Sequence, residues 1–248
     1  HKKNFGKAKD KKISLILQTG LLLGAECGWA RRFAIAPKAG AKRGTAMGAR
    51  VTLCSHLDQT GSETPAGPAV STVIEAIAAA AIGLADLIAD GPLAGITGRT
   101  DGVNSDGDFQ RDIDLAADAM MRAALRKSPV AAVLSEESEL PEVFDAKASL
   151  CVAIDPLDGS ANLENNISVG TIFSIRSRGN DIVSTFFEPG TAQCAAGFVV
   201  YGPQTTLVLA FDERVDIFIL DRRAGEFLLI ARRVRIAPDT PEFAINAS

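Results

Sequence analysis

The chain has 248 residues, 47% hydrophobic and 23% charged, a composition that suits a folded globular domain and excludes a disordered or fibrous one. Its formal charge of −4 hides an asymmetry: residues 1–46 hold eleven Lys/Arg against two Asp/Glu, and the remainder holds 15 against 28. So acidic a body excludes nucleic-acid binding by general electrostatics and favours divalent cations.

Residues 2–12 form a basic run, and residues 13–25 an apolar stretch too short to cross a membrane. The pattern loosely resembles a leader, but the chain starts with His1, and residues 29–50 are rich in Arg, Gly and Ala without periodicity. We expect residues 1–46 to be an atypical, non-native basic extension, with Met47 as the start of a core spanning 47–248. Neither a membrane nor a nucleic acid is expected as a partner.

Residues 70–90 are Ala-rich, and Val73, Ile74, Ile77, Ala81, Leu84 and Ile88 recur at helical spacing. Gly91-Pro92 closes that helix. Residues 98–107 read as a loop. A second amphipathic helix is predicted over 110–127, stopped by Pro129. Residues 130–134 and 150–154 read as short buried strands. From Ile167 the chain turns to strands, at 167–175, 194–202, 206–211, 215–220 and 226–230, the last two flanking a hairpin turn at 221–225. Helices first and paired strands later predict an α/β or layered α+β fold with layers of both.

The histidines are His1 and His56, and the four cysteines, Cys27, Cys54, Cys151 and Cys194, lie far apart with no C-x-x-C spacing. A zinc centre and a disulfide framework are both disfavoured, and a reducing, cytoplasmic location is expected. Metal or acid–base chemistry then has to use carboxylates.

Three acidic clusters offer them. Asp108, Asp112 and Asp114 stand where the loop meets the second helix. Glu136-Glu137 follows the strand at 130–134, and Asp155-x-x-Asp158 follows the strand at 150–154. Each has a plainer reading alone: an exposed helix face, a solvated acidic loop, a turn. Together and in this order, with two of them at strand ends, they suggest a site. Carboxylates brought close raise one another's pKa unless a cation neutralises them. Oxygen ligands without His or Cys select Mg²⁺, Mn²⁺ or Ca²⁺. Gly159 allows close backbone approach, Ser160 adds a hydroxyl for a phosphate, and Pro156 is expected to stiffen a turn between the two aspartates.

The segments LSEE and IDPLDGSANLENNISVGTIFSI resemble the core of the fructose-1,6-bisphosphatases, within the lithium-sensitive phosphatase superfamily. GDFQRDIDLAAD, VVYGPQTTLVLAF and GEFLLI extend the resemblance from about residue 70 to the chain's end. DPLDGS by itself marks only the superfamily, inositol monophosphatases included. The resemblance implies a Mg²⁺-dependent phosphoric monoester hydrolase, with Mn²⁺ as a substitute, that releases the 1-phosphate of fructose 1,6-bisphosphate. Glu136, Glu137, Asp155, Asp158 and the Leu157 carbonyl would hold metal. Asp114 would orient or deprotonate the attacking water, assisted by Glu136, with Asp108 supporting proton transfer from a loop that contains Asn104. Asp158, Gly159 and Ser160 would bind substrate, as would Asn246 at the 6-phosphate.

The family's setting implies gluconeogenesis or photosynthetic carbon fixation, and a homo-oligomer, commonly a tetramer. Alternatives are a sedoheptulose-1,7-bisphosphatase, an inositol-phosphatase-like enzyme, and a non-catalytic metal- or phosphate-binding fragment. Departures from the family pattern also carry expectations. Ala161 stands where the family has a second Ser. Ser149 and Leu150 replace a Lys-Tyr pair of AMP-inhibited members, and Ser177, between Arg176 and Arg178, replaces a distal Arg, so AMP inhibition in the usual manner is not expected. The chain stops at Ser248 where the family continues, so it is expected to be a C-terminally truncated fragment that turns over fructose 1,6-bisphosphate slowly or not at all.

Overall fold

The computed structural model describes residues 50–61, 67–94, 99–103 and 109–235. The expectations for residues 1–46, Met47, Asn104, Asp108 and Asn246 fall outside them.

Helix α1 (Leu53–Gly61) starts behind Thr52, whose Oγ1 accepts the Ser55 N–H at 3.2 Å, a side-chain N-cap. Helix α2 (Gly67–Asp90) follows, then helix α3 (Asp112–Leu125), which has Asp112 and Asp114 in its first turn and Arg122 in its last, the order that the helix dipole favours. By length and composition α2 could cross a membrane. Here Val73, Ile74, Ile77, Ala81 and Leu84 are buried against α3 and the sheet, as in a core helix.

Within the stretch expected to be loop, residues 99–103 instead form β1 (Arg99–Val103), which pairs antiparallel with β2 (Phe109–Arg111) in a two-stranded ribbon. Its Gly- and Asp-rich composition hid it, because backbone pairing needs no hydrophobic alternation.

The remaining strands are β3 (Val130–Ser135), β4 (Glu142–Val143), β5 (Leu150–Asp158), β6 (Val169–Ser177), β7 (Gln193–Tyr201), β8 (Thr205–Phe211), β9 (Arg214–Asp221) and β10 (Glu226–Ala231). They form one sheet in the order β10-β9-β8-β7-β6-β5-β3-β4. The β3–β5 pair is parallel, and the other neighbours are antiparallel. The turn at 221–225 is as predicted, with Gly225 at φ 68 and Asp221 Oδ1 accepting the N–H groups of Arg223 and Ala224.

Helices α1, α2 and α3 cover one face. Val152, Ile154, Phe173, Val199, Leu207 and Phe218 form the core beneath them. The other face, at β3 and β5, is closed by Phe186 over Ala131, Leu134 and Ala153, just after the short helix α4 (Ile182–Thr185). Both faces of β3 and β5 are therefore buried, which is why they read as unbroken apolar runs.

Candidate active site

The one parallel pair among the described strands positions the site. Parallel strands end at the same edge of a sheet, so β3 delivers Ser135-Glu136-Glu137 and β5 delivers Asp155 to Asp158 side by side. The Glu136 N–H continues the ladder to the Ile154 carbonyl at 3.0 Å.

The sequence predicted a turn at Asp155-Pro156-Leu157-Asp158, but β5 runs through it. Asp155 faces Ile172 and Asp158 faces Gly170, so Pro156 and Leu157 together oppose Thr171. This is a bulge, a place where Pro is tolerated because its missing N–H breaks no ladder bond. Thr171 fixes it, its hydroxyl donating to the Pro156 carbonyl at 2.8 Å. Thr171 has then spent its proton, so the Tyr201 hydroxyl, 2.8 Å away, donates to Thr171 Oγ1. Burial pushes the Tyr201 phenol well above its ordinary range and keeps it a donor. The chain turns at Gly159, whose φ of 74 lies in the left-handed region, and Ser160–Asn165 form a 3₁₀ turn.

The bulge aims the carboxylates. Asp155 is buried and its carboxyl is pushed well above the usual carboxylate range. Burial is the first cause; Glu136, as hydrogen-bond partner and then as neighbouring charge, adds to it, followed by Asp158. The Leu157 N–H, donating to Asp155 Oδ1 at 3.1 Å, acts in the opposite sense. Asp158 lies at the surface, yet the protein atoms crowding its carboxyl raise it, and the Glu136 charge raises it further. Among the described residues no three metal-ligating side chains already converge on one point. Nevertheless two carboxyl groups at hydrogen-bond distance have to share a proton or a cation. An all-oxygen donor set fits a hard cation such as Mg²⁺ or Mn²⁺, drawn from Glu136, Asp155 and Asp158 with Glu137 alongside.

Asp114 is buried, although Asp112, two residues earlier, is exposed. It lies one turn of α3 before Asp118, which contacts Ser135 at the end of β3. That spacing puts Asp114 on the helix face towards the strand ends. Beside Ser160 a cavity of about 710 Å³ is lined by Asp90, Ile113, Asn166, Tyr201 and Arg222. Sequence reasoning assigned no role to Thr171 or to Asp118, although both lie inside the segments quoted for the resemblance, at 154–175 and 107–118; the spacing of Asp118 to Arg122 and Arg126 reads as a solvated ion-pair stripe.

A family model described as fructose-1,6-bisphosphatase, N-terminal domain, matches residues 51–232. A class 1 fructose-1,6-bisphosphatase of Bradyrhizobium sp. (strain ORS 278) is 58% identical over 197 residues, 79% of this chain and 54% of the relative. One of Bradyrhizobium diazoefficiens is 52% identical over 202 residues, 82% and 59% of the two chains. The chain thus spans little more than half the length of these relatives. Among solved structures, Leishmania major fructose-1,6-bisphosphatase in holo form superposes with a TM-score of 0.68 at 28% identity, over 75% of this chain and 60% of that one.

Proposed function

The chain belongs to the class I fructose-1,6-bisphosphatase family, and we propose that it is a Mg²⁺-dependent phosphoric monoester hydrolase that converts fructose 1,6-bisphosphate to fructose 6-phosphate and phosphate. The observation that carries the reading is the Glu136–Asp155 carboxyl pair at the ends of two parallel strands, with Asp158 beside it.

Glu136, Glu137, Asp155, Asp158 and the Leu157 carbonyl would hold Mg²⁺ or Mn²⁺. When bound, the cation supplies positive charge against the phosphate ester. The protein's own groups do the rest. Gly159, in its left-handed conformation, brings backbone close to the phosphate, and the Ser160 hydroxyl donates to a phosphate oxygen. Asp114 orients the attacking water in line with the departing sugar oxygen and accepts its proton at a carboxylate oxygen. Asp108 and Asn246 stay with the same proposal, for proton transfer and for the 6-phosphate. Assembly into a homo-oligomer is part of it too.

Phosphate release from fructose 1,6-bisphosphate by the purified chain tests the reading. We expect slow release that needs Mg²⁺ and is abolished by Asp155→Asn and Glu136→Gln. Release that persists in chelator or that survives both substitutions would reject it.

A further inference from the structure

Asp118 stands between the candidate general base and the glutamate pair. One turn after Asp114 on α3, its Oδ1 accepts the Ser135 hydroxyl at 2.6 Å, and its Oδ2 accepts Arg122 Nε at 2.5 Å. Ser135 is fully buried. Its only hydroxyl proton goes to Asp118, so its oxygen is left to accept the Glu137 N–H at 3.3 Å. Arg122 also donates through Nη1 to Glu142 at 2.6 Å and through Nη2 to the Ser138 hydroxyl at 3.1 Å. That hydroxyl donates back to the Ser135 carbonyl at 3.2 Å. Both ends of the segment that carries Glu136 and Glu137 are therefore tied to the helix that carries Asp114.

Fastening a helix to a sheet does not call for this arrangement. Ala117, Met121 and Leu125 of the same helix are fully buried in the core and supply that adhesion by apolar contact. A carboxylate and a guanidinium drawn out of water are weak contributors to stability, but their fixed fork geometry sets direction.

We infer that Asp118, acting with Ser135 and Arg122, is a positioning residue that sets the direction in which Glu136 and Glu137 present their carboxylates to a divalent cation. The inference rests on the reading of that pair as a cation site. Groups that orient metal ligands commonly change affinity by about tenfold or more when removed.

The test is titration of Mn²⁺ into the full 248-residue chain, with free Mn²⁺ followed by electron paramagnetic resonance. Asp118→Ala and Ser135→Ala are each expected to weaken binding by about tenfold. The double variant is expected to bind no more weakly than the weaker single, because both act through one chain of contacts. Asp118→Asn keeps an acceptor for Ser135 and is expected to recover part of the loss. Circular dichroism separates altered binding from unfolding. Should Asp118→Ala not fold, Ser135→Ala, which removes a single oxygen from a strand, still decides the matter. Single variants that bind like the parent, or losses that multiply in the double, overturn the positioning role while leaving the cation site standing. Failure of the parent chain to bind Mn²⁺ overturns both.

Discussion

The Asp155 carboxyl lies within hydrogen-bonding reach of the Glu136 carboxyl, and the two arrive there on neighbouring parallel strands. A pair of acids this close stores a preference for a proton or a cation, and the preference can be measured.

In chelator, Asp155 holds its proton at pH values where an ordinary aspartate has lost it. An acid whose folded pKa lies above its unfolded value contributes stability below the unfolded value, and loses it as pH rises through the folded one. We expect the parent to lose stability with rising pH above about 4, relative to Asp155→Asn, which has no group titrating there. Excess Mg²⁺ should flatten the difference. Thermal melts of both proteins across that range check this; coincident pH profiles in chelator would contradict it.

Ala161 is exposed just after Ser160, where the resemblance places a second serine. Ala161→Ser adds one hydroxyl beside the proposed phosphate site, worth about 1 kcal/mol, or roughly fivefold in affinity. A lower KM for fructose 1,6-bisphosphate and tighter competition by inorganic phosphate are expected. Unchanged values for both would show that the hydroxyl does not reach the phosphate.

Gly197 lies mid-strand in β7, where an added Cβ would come 2.7 Å from the Phe173 ring and 2.7 Å from the Val208 carbonyl oxygen. The backbone oxygen belongs to the neighbouring strand and cannot swing aside. Gly197→Ala should cost about 2 kcal/mol, read from urea unfolding. A neutral result would mean that the sheet parts there more readily than its pairing suggests.

His56 of α1 meets Asp216 of β9 at 2.7 Å, with only 4% and 5% of the two side chains exposed. Asp216 also accepts the Arg233 N–H at 2.7 Å. His56→Ala takes one of its two named partners from the buried Asp216 and should destabilise by about 3 kcal/mol. Asp216→Asn keeps an acceptor for Arg233 and should cost less. Equal losses in the two variants would show that packing against Phe218, edge-on to His56, outweighs the polar pair.

Much of the fold could be read along the chain. The helix predicted over 70–90 forms over Gly67–Asp90, and the one over 110–127 forms over Asp112–Leu125, because apolar residues recur once per turn. The five late strands appear within a few residues of their predicted places. Helix α1 was missed: it is short and polar on one side, and it is held by long-range contacts such as His56–Asp216. At the site, the carboxylates were legible as residues at strand ends. The bulge was not, since it depends on the register of β6 against β5, which β5 alone does not encode.

Residue order by itself determined which chemistry is available to this protein. With two histidines and separated cysteines, only carboxylates remain as ligands, and hydrophobic runs deliver them to strand ends. Tertiary structure decided which carboxylates meet. Glu136 and Asp155 become neighbours because β3 and β5 are parallel, the one pairing among the described strands that brings two C-terminal ends to the same edge. Asp118, which the sequence makes one charge in a helical stripe, becomes a brace for Glu137 because α3 packs across those two strands and carries it to Ser135.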